Sequence, residues 1–423
     1  MRWVVIISFL LSVSCGVSNK AVASILSGVE AMSDIGRLNF SCSYEEGPGY
    51  AGDLDVLFRY ARWLQVNNQL IRDEGVYAQA ERLYRIASEG GHYKANINLQ
   101  IGAMRGYFKV KGYERLRMSQ ELIDAKVAAG YLMVARMLQV GGGGLKKDEE
   151  MSLKFYRKAA DEGNASAQAY VADKLASIPA LSEVARDMRR CAAAQSHGEA
   201  AVAVALYHKR VGDYAQALEL FQMGASAGNE SAIGFLEAAF RGAAPEDDFN
   251  YLGQSIDLER AERYNKIWRV LANYSYANPV VPEINEIVPL PPAKLPPWDG
   301  KIKWLEDRLA NIPPPKPEEW LIEKLAKEKG LDPATGRPLP GSPAFKAEYF
   351  PVDTCKSGEP CPQEGYWKVM WPERWVRNEE VIQHFNEGEL MPHPEGNYYL
   401  HRIWPLPRKL VRGPIFVKWG LLG

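Results

Sequence analysis

Along Leu153 to Ala172, LKFYRKAADEGNASAQAYVA, apolar positions fall at Leu153, Tyr156 and Ala160, stop at Gly163 and resume at Ala167. Spacings of three and four residues interrupted by a glycine predict a helix, a tight turn and a second helix. The pattern returns where Ala80, Leu83 and Ala87 lead to Gly90, and where Leu218, Phe221 and Ala225 lead to Gly228 and Ala232. Weaker copies fit between, through Ile123, Val127 and Gly130 and through Met188, Cys191, Gln195 and Gly198. Successive glycines then stand 40, 33, 35 and 30 residues apart. A period in that range predicts helical hairpins that stack because none can bury its apolar face alone. An irregular all-α domain with alanine-rich helices would share the composition, but three copies agree in register as well.

The pattern changes after residue 278, where 24 of the 27 prolines lie, so the helical stack cannot continue. Residues 279–298 read as extended and polyproline-like. Ile284, Ile287, Val288, Leu290, Leu295 and Trp298 make that segment too apolar for a free linker, and one helix is expected at Glu318–Lys329. From about residue 345, the runs YWKVMW, EVIQHF, NYYLHRIW and IFVKWG between glycine and proline turns predict strands. Eight of the eleven tryptophans lie after residue 278. They fit the aromatic core of a small barrel or curled sheet, or exposed binding anchors. The expected fold is mainly α: an irregular segment over 24–52, helical repeats over 53–276, a proline-rich segment with one helix over 277–344, and a β-rich C-terminal domain over 345–423.

The apolar run Val4 to Leu11 behind one arginine has the shape of a secretory signal and is too short to span a bilayer. Two cleavage readings are open: before Cys15, giving a lipid-tethered protein with a signal of 1–14, or after Ala23, giving a signal of 1–23. Either places the mature chain in the periplasm. The formal net charge of −1 supplies no bulk attraction to nucleic acid. Export leaves Cys42, Cys191, Cys355 and Cys361, an even count that suggests disulfides in an oxidising compartment. The short loop KSGEP between Cys355 and Cys361 favours a bridge there. Cys42 with Cys191 is a second possibility, with Cys191 as a buried core thiol the alternative.

The string FYRKAADEGNASAQ at 155–168 resembles the Sel1-like repeat, a relative of the tetratricopeptide repeat, through Phe155, Tyr156, Lys158, Ala159, Ala160, Gly163 and Ala167. The outer copies LYRIASEGGHYKA and LFQMGASAGNESA keep part of that pattern. The resemblance implies an α/α solenoid whose surfaces bind proteins and rarely do chemistry. Cys361-Pro362 through Trp367, followed by Phe385 through Pro392, resembles a C-P-x-x-G-x-W … F-x-x-G-x-x-M-P signature of exported proteins encoded beside type VI secretion effectors. Glu259 to Lys301 is similar to the domain that follows Sel1-like repeats in immunity proteins against phospholipase effectors of that system. Together these resemblances imply a periplasmic immunity protein that binds a phospholipase D-type effector. A periplasmic Sel1-like scaffold or regulator is the alternative, and a cell-wall or lipid enzyme a third reading.

The residues point away from catalysis and from cofactors. A phospholipase D needs two H-x-K-x-x-x-x-D motifs; the single H-x-K, His92-Tyr93-Lys94, has leucine at position 99 where aspartate is required. There is no H-E-x-x-H and no phosphate-cradling G-K-S/T loop, and no nucleophile elbow of the G-x-S-x-G kind is expected. His384, His393 and His401 lack a second ligand type nearby, so no metal is expected. A phosphodiesterase pocket is cationic, so acidic loops are natural plugs. Glu246, Asp247 and Asp248, together with Glu379 and Glu380, are the acidic candidates for effector binding, and Trp371 and Trp375 flanking Glu373 and Arg374 the aromatic ones.

Overall fold

The computed structural model describes residues 39–49, 52–339, 342, 354–362, 365–371, 381–400 and 409–421. The expected signal and Cys15 lie outside them, as do Glu373, Arg374, Trp375, Glu379 and Glu380. Among the described residues no helix is long and apolar enough to cross a membrane.

Twelve helices make the helical part: α1 (Gly52–Asn67), α2 (Glu74–Glu89), α3 (Tyr93–Met104), α4 (Gly112–Asp124), α5 (Ala129–Val140), α6 (Glu149–Asp161), α7 (Ala165–Leu175), α8 (Ser182–Ala194), α9 (Gly198–Arg210), α10 (Tyr214–Ser226), α11 (Glu230–Arg241) and α12 (Leu258–Asn273). From α2 to α11 they form five consecutive hairpins. The periodic positions face the core: Ala80, Leu83, Ala87, Tyr156, Ala160, Ala167, Leu218, Phe221, Ala225 and Ala232 are all buried.

The turn inside each hairpin requires a left-handed residue, supplied by Gly91, Lys126, Gly163, Ser196 and Gly228 with φ of 97°, 59°, 99°, 63° and 83°. This corrects the repeat register at three places. The left-handed glycine of the first hairpin is Gly91 and not Gly90, whereas Gly130 and Gly198 lie in the first turns of α5 and α9. Gly130 serves close packing instead, because a Cβ there would collide with the Ser119 carbonyl and the Ile123 amide of α4.

The residue that begins the second helix also recurs. Asn164 and Asn229 accept from the amides of Ala167 and Ala232, both at 3.0 Å, and His92 and His197 do the same through Nδ1 for Ala95 and Ala200, at 3.2 and 3.3 Å. Helix α5 has no such cap of its own. Its Ala129 amide donates instead to the Glu45 carboxylate at 2.6 Å.

Glu45 belongs to an extended segment, Cys42–Gly49, laid antiparallel over the hairpin turns. Gly47 abuts the Tyr93 ring and Tyr44 the bare Cα of Gly163. Asn164 donates to Glu45 at 2.7 Å, and Gln168 donates to the Ser43 carbonyl at 3.0 Å. The segment ends in a disulfide between Cys42 and Cys191, Cα atoms 5.6 Å apart.

After α12 the proline-rich chain returns along the helices. Val281, Ile284, Ile287 and Val288 are buried in one core with Phe221, Phe240 and Tyr264. Buried Gln222 ties this stretch down, accepting from the Tyr264 hydroxyl at 2.7 Å and donating to Asn285 at 3.0 Å and to the Val288 carbonyl at 2.9 Å. Farther on, Asn311 accepts from Trp63 and Asn67 of α1, each at 2.9 Å, and Glu319 pairs with Arg82 of α2. The segment thus joins the last hairpins to the first. It holds three helices where one was expected: α13 (Ile284–Ile287), α14 (Lys303–Ala310) and α15 (Glu319–Glu328). The first two fit between proline clusters, which mask periods so short.

The C-terminal part comprises β1 (Thr354–Lys356), β2 (Gly365–Met370), β3 (Ile382–Phe385), β4 (Glu395–Leu400), β5 (Lys409–Pro414) and β6 (Lys418–Leu421). One antiparallel sheet has the order β1-β6-β2-β3, and β4 pairs with β5. Trp367 and Trp419 are fully buried at its centre beside Phe385 and Met391.

The expected Cys355–Cys361 bridge is corrected here: both residues are buried thiols, and neither forms a disulfide. The Cys355 Sγ is turned to the Pro360 carbonyl at 3.4 Å, while the amide of Cys361 donates to the Glu389 carbonyl at 2.7 Å and fixes the other end of the loop. Burial pushes the Cys355 thiol above its ordinary pKa.

Candidate functional site

The loop between α11 and α12 carries the acidic run predicted from sequence. Asp247 is bonded within its own loop. Its carboxylate accepts from the amides of Phe249 and Asn250, at 3.2 and 3.1 Å, and from the Asn250 side chain at 2.8 Å. These bonds, led by those from Asn250, hold its carboxyl below the usual range. Glu246 and Asp248 remain exposed, and Lys209 donates to the Asp248 carbonyl, pinning the loop to α9. Leu252, fully buried, anchors its far end.

The consequence of the Asp247 turn is the position of Phe249. Its ring lies 5.2 Å from that of Phe235, which stacks in turn on Phe221 at 4.7 Å. Phe249 nevertheless stays 70% exposed, and Trp268 on α12 is 41% exposed. Between them opens a cleft of about 430 Å³, floored by Gly234 and Phe235 and edged by Glu230, Ser231 and Asn250. Gly234 leaves the floor bare: a Cβ there would meet nothing within 4 Å. Glu230 sits at the first turn of α11 and supplies a half-buried carboxylate. Exposed aromatic faces beside carboxylates can hold a cation or an amphipathic side chain.

Glu246, Asp247 and Asp248 directly precede Phe249 on its loop, while the cleft itself is lined by Phe249, Trp268 and Glu230, which the sequence does not single out. The cue was present, since Phe249 and Asn250 directly follow an acidic turn-former. Trp371 goes elsewhere. It is half-buried against the core of the small sheet, its ring over the bare Cα of Gly396. His393 stands edge to face against Phe416, centroids 4.4 Å apart. Among the described residues no group of three His, Cys, Asp or Glu side chains could hold a metal ion. The string Gly224-Ala225-Ser226-Ala227-Gly228 spells the nucleophile elbow G-x-S-x-G, yet Ser226 ends a helix and does not crown a strand-to-helix turn.

Comparison with known proteins fits this architecture. The Sel1 repeat model matches residues 71–92, 128–164 and 199–229, and a domain of unknown function, DUF6396, matches residues 231–339. This chain carries Sel1 repeats, and the cleft residues other than Glu230 lie within the second match. No curated protein matches the chain. Among solved structures, the immunity proteins PA5088 and Pa5087 of Pseudomonas aeruginosa each share 24% identity at a TM-score of 0.46. Both alignments cover 60% of this chain, with 94% and 95% of theirs. A Sel1 repeat protein from Oxalobacter formigenes shares 17% identity at a TM-score of 0.36, over 51% of this chain and 89% of its own.

Proposed function

We propose that this chain is an exported immunity protein that neutralises a phospholipase D-type effector of type VI secretion in the periplasm by binding it, with Cys15 as a lipid tether if cleavage falls there. The observation that carries the reading is the cleft of Phe235, Phe249 and Trp268 with its carboxylate edge, a preformed surface on a Sel1-repeat scaffold. A disulfide-clasped N-terminal segment suits an oxidising compartment, and a solenoid braced from last hairpin to first offers that surface without reorganisation. An effector whose catalytic pocket is cationic, to hold a phosphodiester, presents the complementary charge.

The test is survival. Cells that export both this protein and a phospholipase D-type effector from the same gene cluster should live, whereas cells exporting the effector alone should die. Death despite a folded, exported protein would contradict the reading and leave a periplasmic scaffold or regulator in its place.

A further inference from the structure

We infer that the cleft between α11 and α12 takes a single cationic side chain of the partner, an arginine by shape, seated between Phe249 and Trp268 with its charge met by Glu230. The inference rests on the immunity reading for the partner's identity, but not for the chemistry of the site. Three observations converge on it. The rings of Phe249 and Trp268 line the same space and are solvated in the isolated chain, so their faces are available to a planar guanidinium. Glu230 contributes a carboxylate to the wall, and Glu246 and Asp248 stand exposed on the loop that carries Phe249, so the entrance is acidic. A Cβ at Gly234 would meet nothing within 4 Å, which leaves open space beside the two rings for a long unbranched side chain. Lys209, whose amine donates to the Asp248 carbonyl and keeps its charge, offsets one of the three carboxylates of the loop and leaves Glu230 as the acidic group of the cleft lining. An anionic partner group would face carboxylates, and a purely apolar one would leave Glu230 desolvated without a partner.

The probe is a short blocked peptide with one central arginine, compared with the same peptide carrying citrulline, which keeps the shape and loses the charge. Binding to the full oxidised chain is read by NMR at an isotope-labelled Trp268 indole. The arginine peptide should shift that signal saturably, and citrulline should weaken binding about threefold or more. Glu230→Gln should produce a loss of similar size, and Gly234→Leu, which fills the floor without strain, should abolish the shift. Equal binding of both peptides would overturn the inference in favour of a merely apolar groove, and no shift at all would overturn it outright. The survival assay separates the two ideas. Full protection by Gly234→Leu would sink the cleft and keep the immunity reading. Arginine binding without protection would keep the cleft and sink the immunity reading.

Discussion

Asp247 holds Phe249: the carboxylate accepts the Phe249 amide at 3.2 Å and so fixes a ring that is 70% exposed. Asp247, which the sequence suggests as part of an acidic plug, also latches its own loop. Asp247→Ala should weaken partner binding through a disordered Phe249, with little change in the global unfolding midpoint. The contrast between binding by calorimetry and melting by circular dichroism checks this, and parallel loss of both would refute it.

The same latch has a pH dependence. Hydrogen bonds to the Asp247 carboxylate depress its pKa in the folded chain. Its contribution is therefore fully present above the unfolded value of about 3.9 and is lost as pH falls through the depressed one. The Phe249 and Asn250 amides should stay protected from hydrogen exchange at pH 5 and lose that protection in strong acid. Loss of protection between pH 7 and 5 would contradict the assignment.

Cys42–Cys191 closes a loop with a sequence separation of 149 residues. In the chain-entropy account, a bridge of that span stabilises the fold by at most ~5 kcal/mol. Cys42→Ser, Cys191→Ser and the double variant should lose equal stability, since each removes the same bond. Peptide mapping of unfolded, unreduced protein should find Cys355 and Cys361 open to alkylation and Cys42 and Cys191 closed.

Lys126 and Ser196 occupy left-handed turns that Gly91, Gly163 and Gly228 fill elsewhere. Replacing either with glycine should stabilise the protein by roughly 0.5–1 kcal/mol, relief of the left-handed penalty outweighing the added backbone entropy. The two sites should add in urea unfolding. Destabilisation by either would show that the side chain at the turn has a separate role.

Gln222→Ala strands the Tyr264 hydroxyl and releases Val288 and Asn285. A cost of about 2–3 kcal/mol is expected, as for a buried polar group left unsatisfied. Tyr264→Phe should cost less, about 1 kcal/mol. The reverse order in denaturant titrations would remove Gln222 as the tie between α10 and the proline-rich segment.

These cases show what could be seen in the sequence. Leu83, Tyr156 and Phe221 announce their helices because a buried face repeats at helical spacing. Lys126 and Ser196 hide two hairpin turns because a non-glycine residue performs the glycine's task, which displaces the apparent register onto Gly130 and Gly198. Local spacing favours Cys355 with Cys361, whereas the bridge that forms, Cys42–Cys191, the second possibility, is made by a segment folding back over the repeats. Ile284–Ile287 and Lys303–Ala310 are too short to show a period between prolines. The acidic loop was visible as composition. Phe249 was signalled by that acidic turn, but Trp268 was not, because the two rings come to line one cleft only after α12 packs on α11.

The most direct measurement is inhibition itself. A phospholipase D-type effector from the same gene cluster is assayed on phospholipid vesicles while purified, oxidised protein is titrated in. Hydrolysis should fall to background near one equivalent for the unaltered chain, and persist at that ratio with Trp268→Ala or Gly234→Leu. Undiminished hydrolysis at a large excess of the unaltered chain would contradict neutralisation by binding.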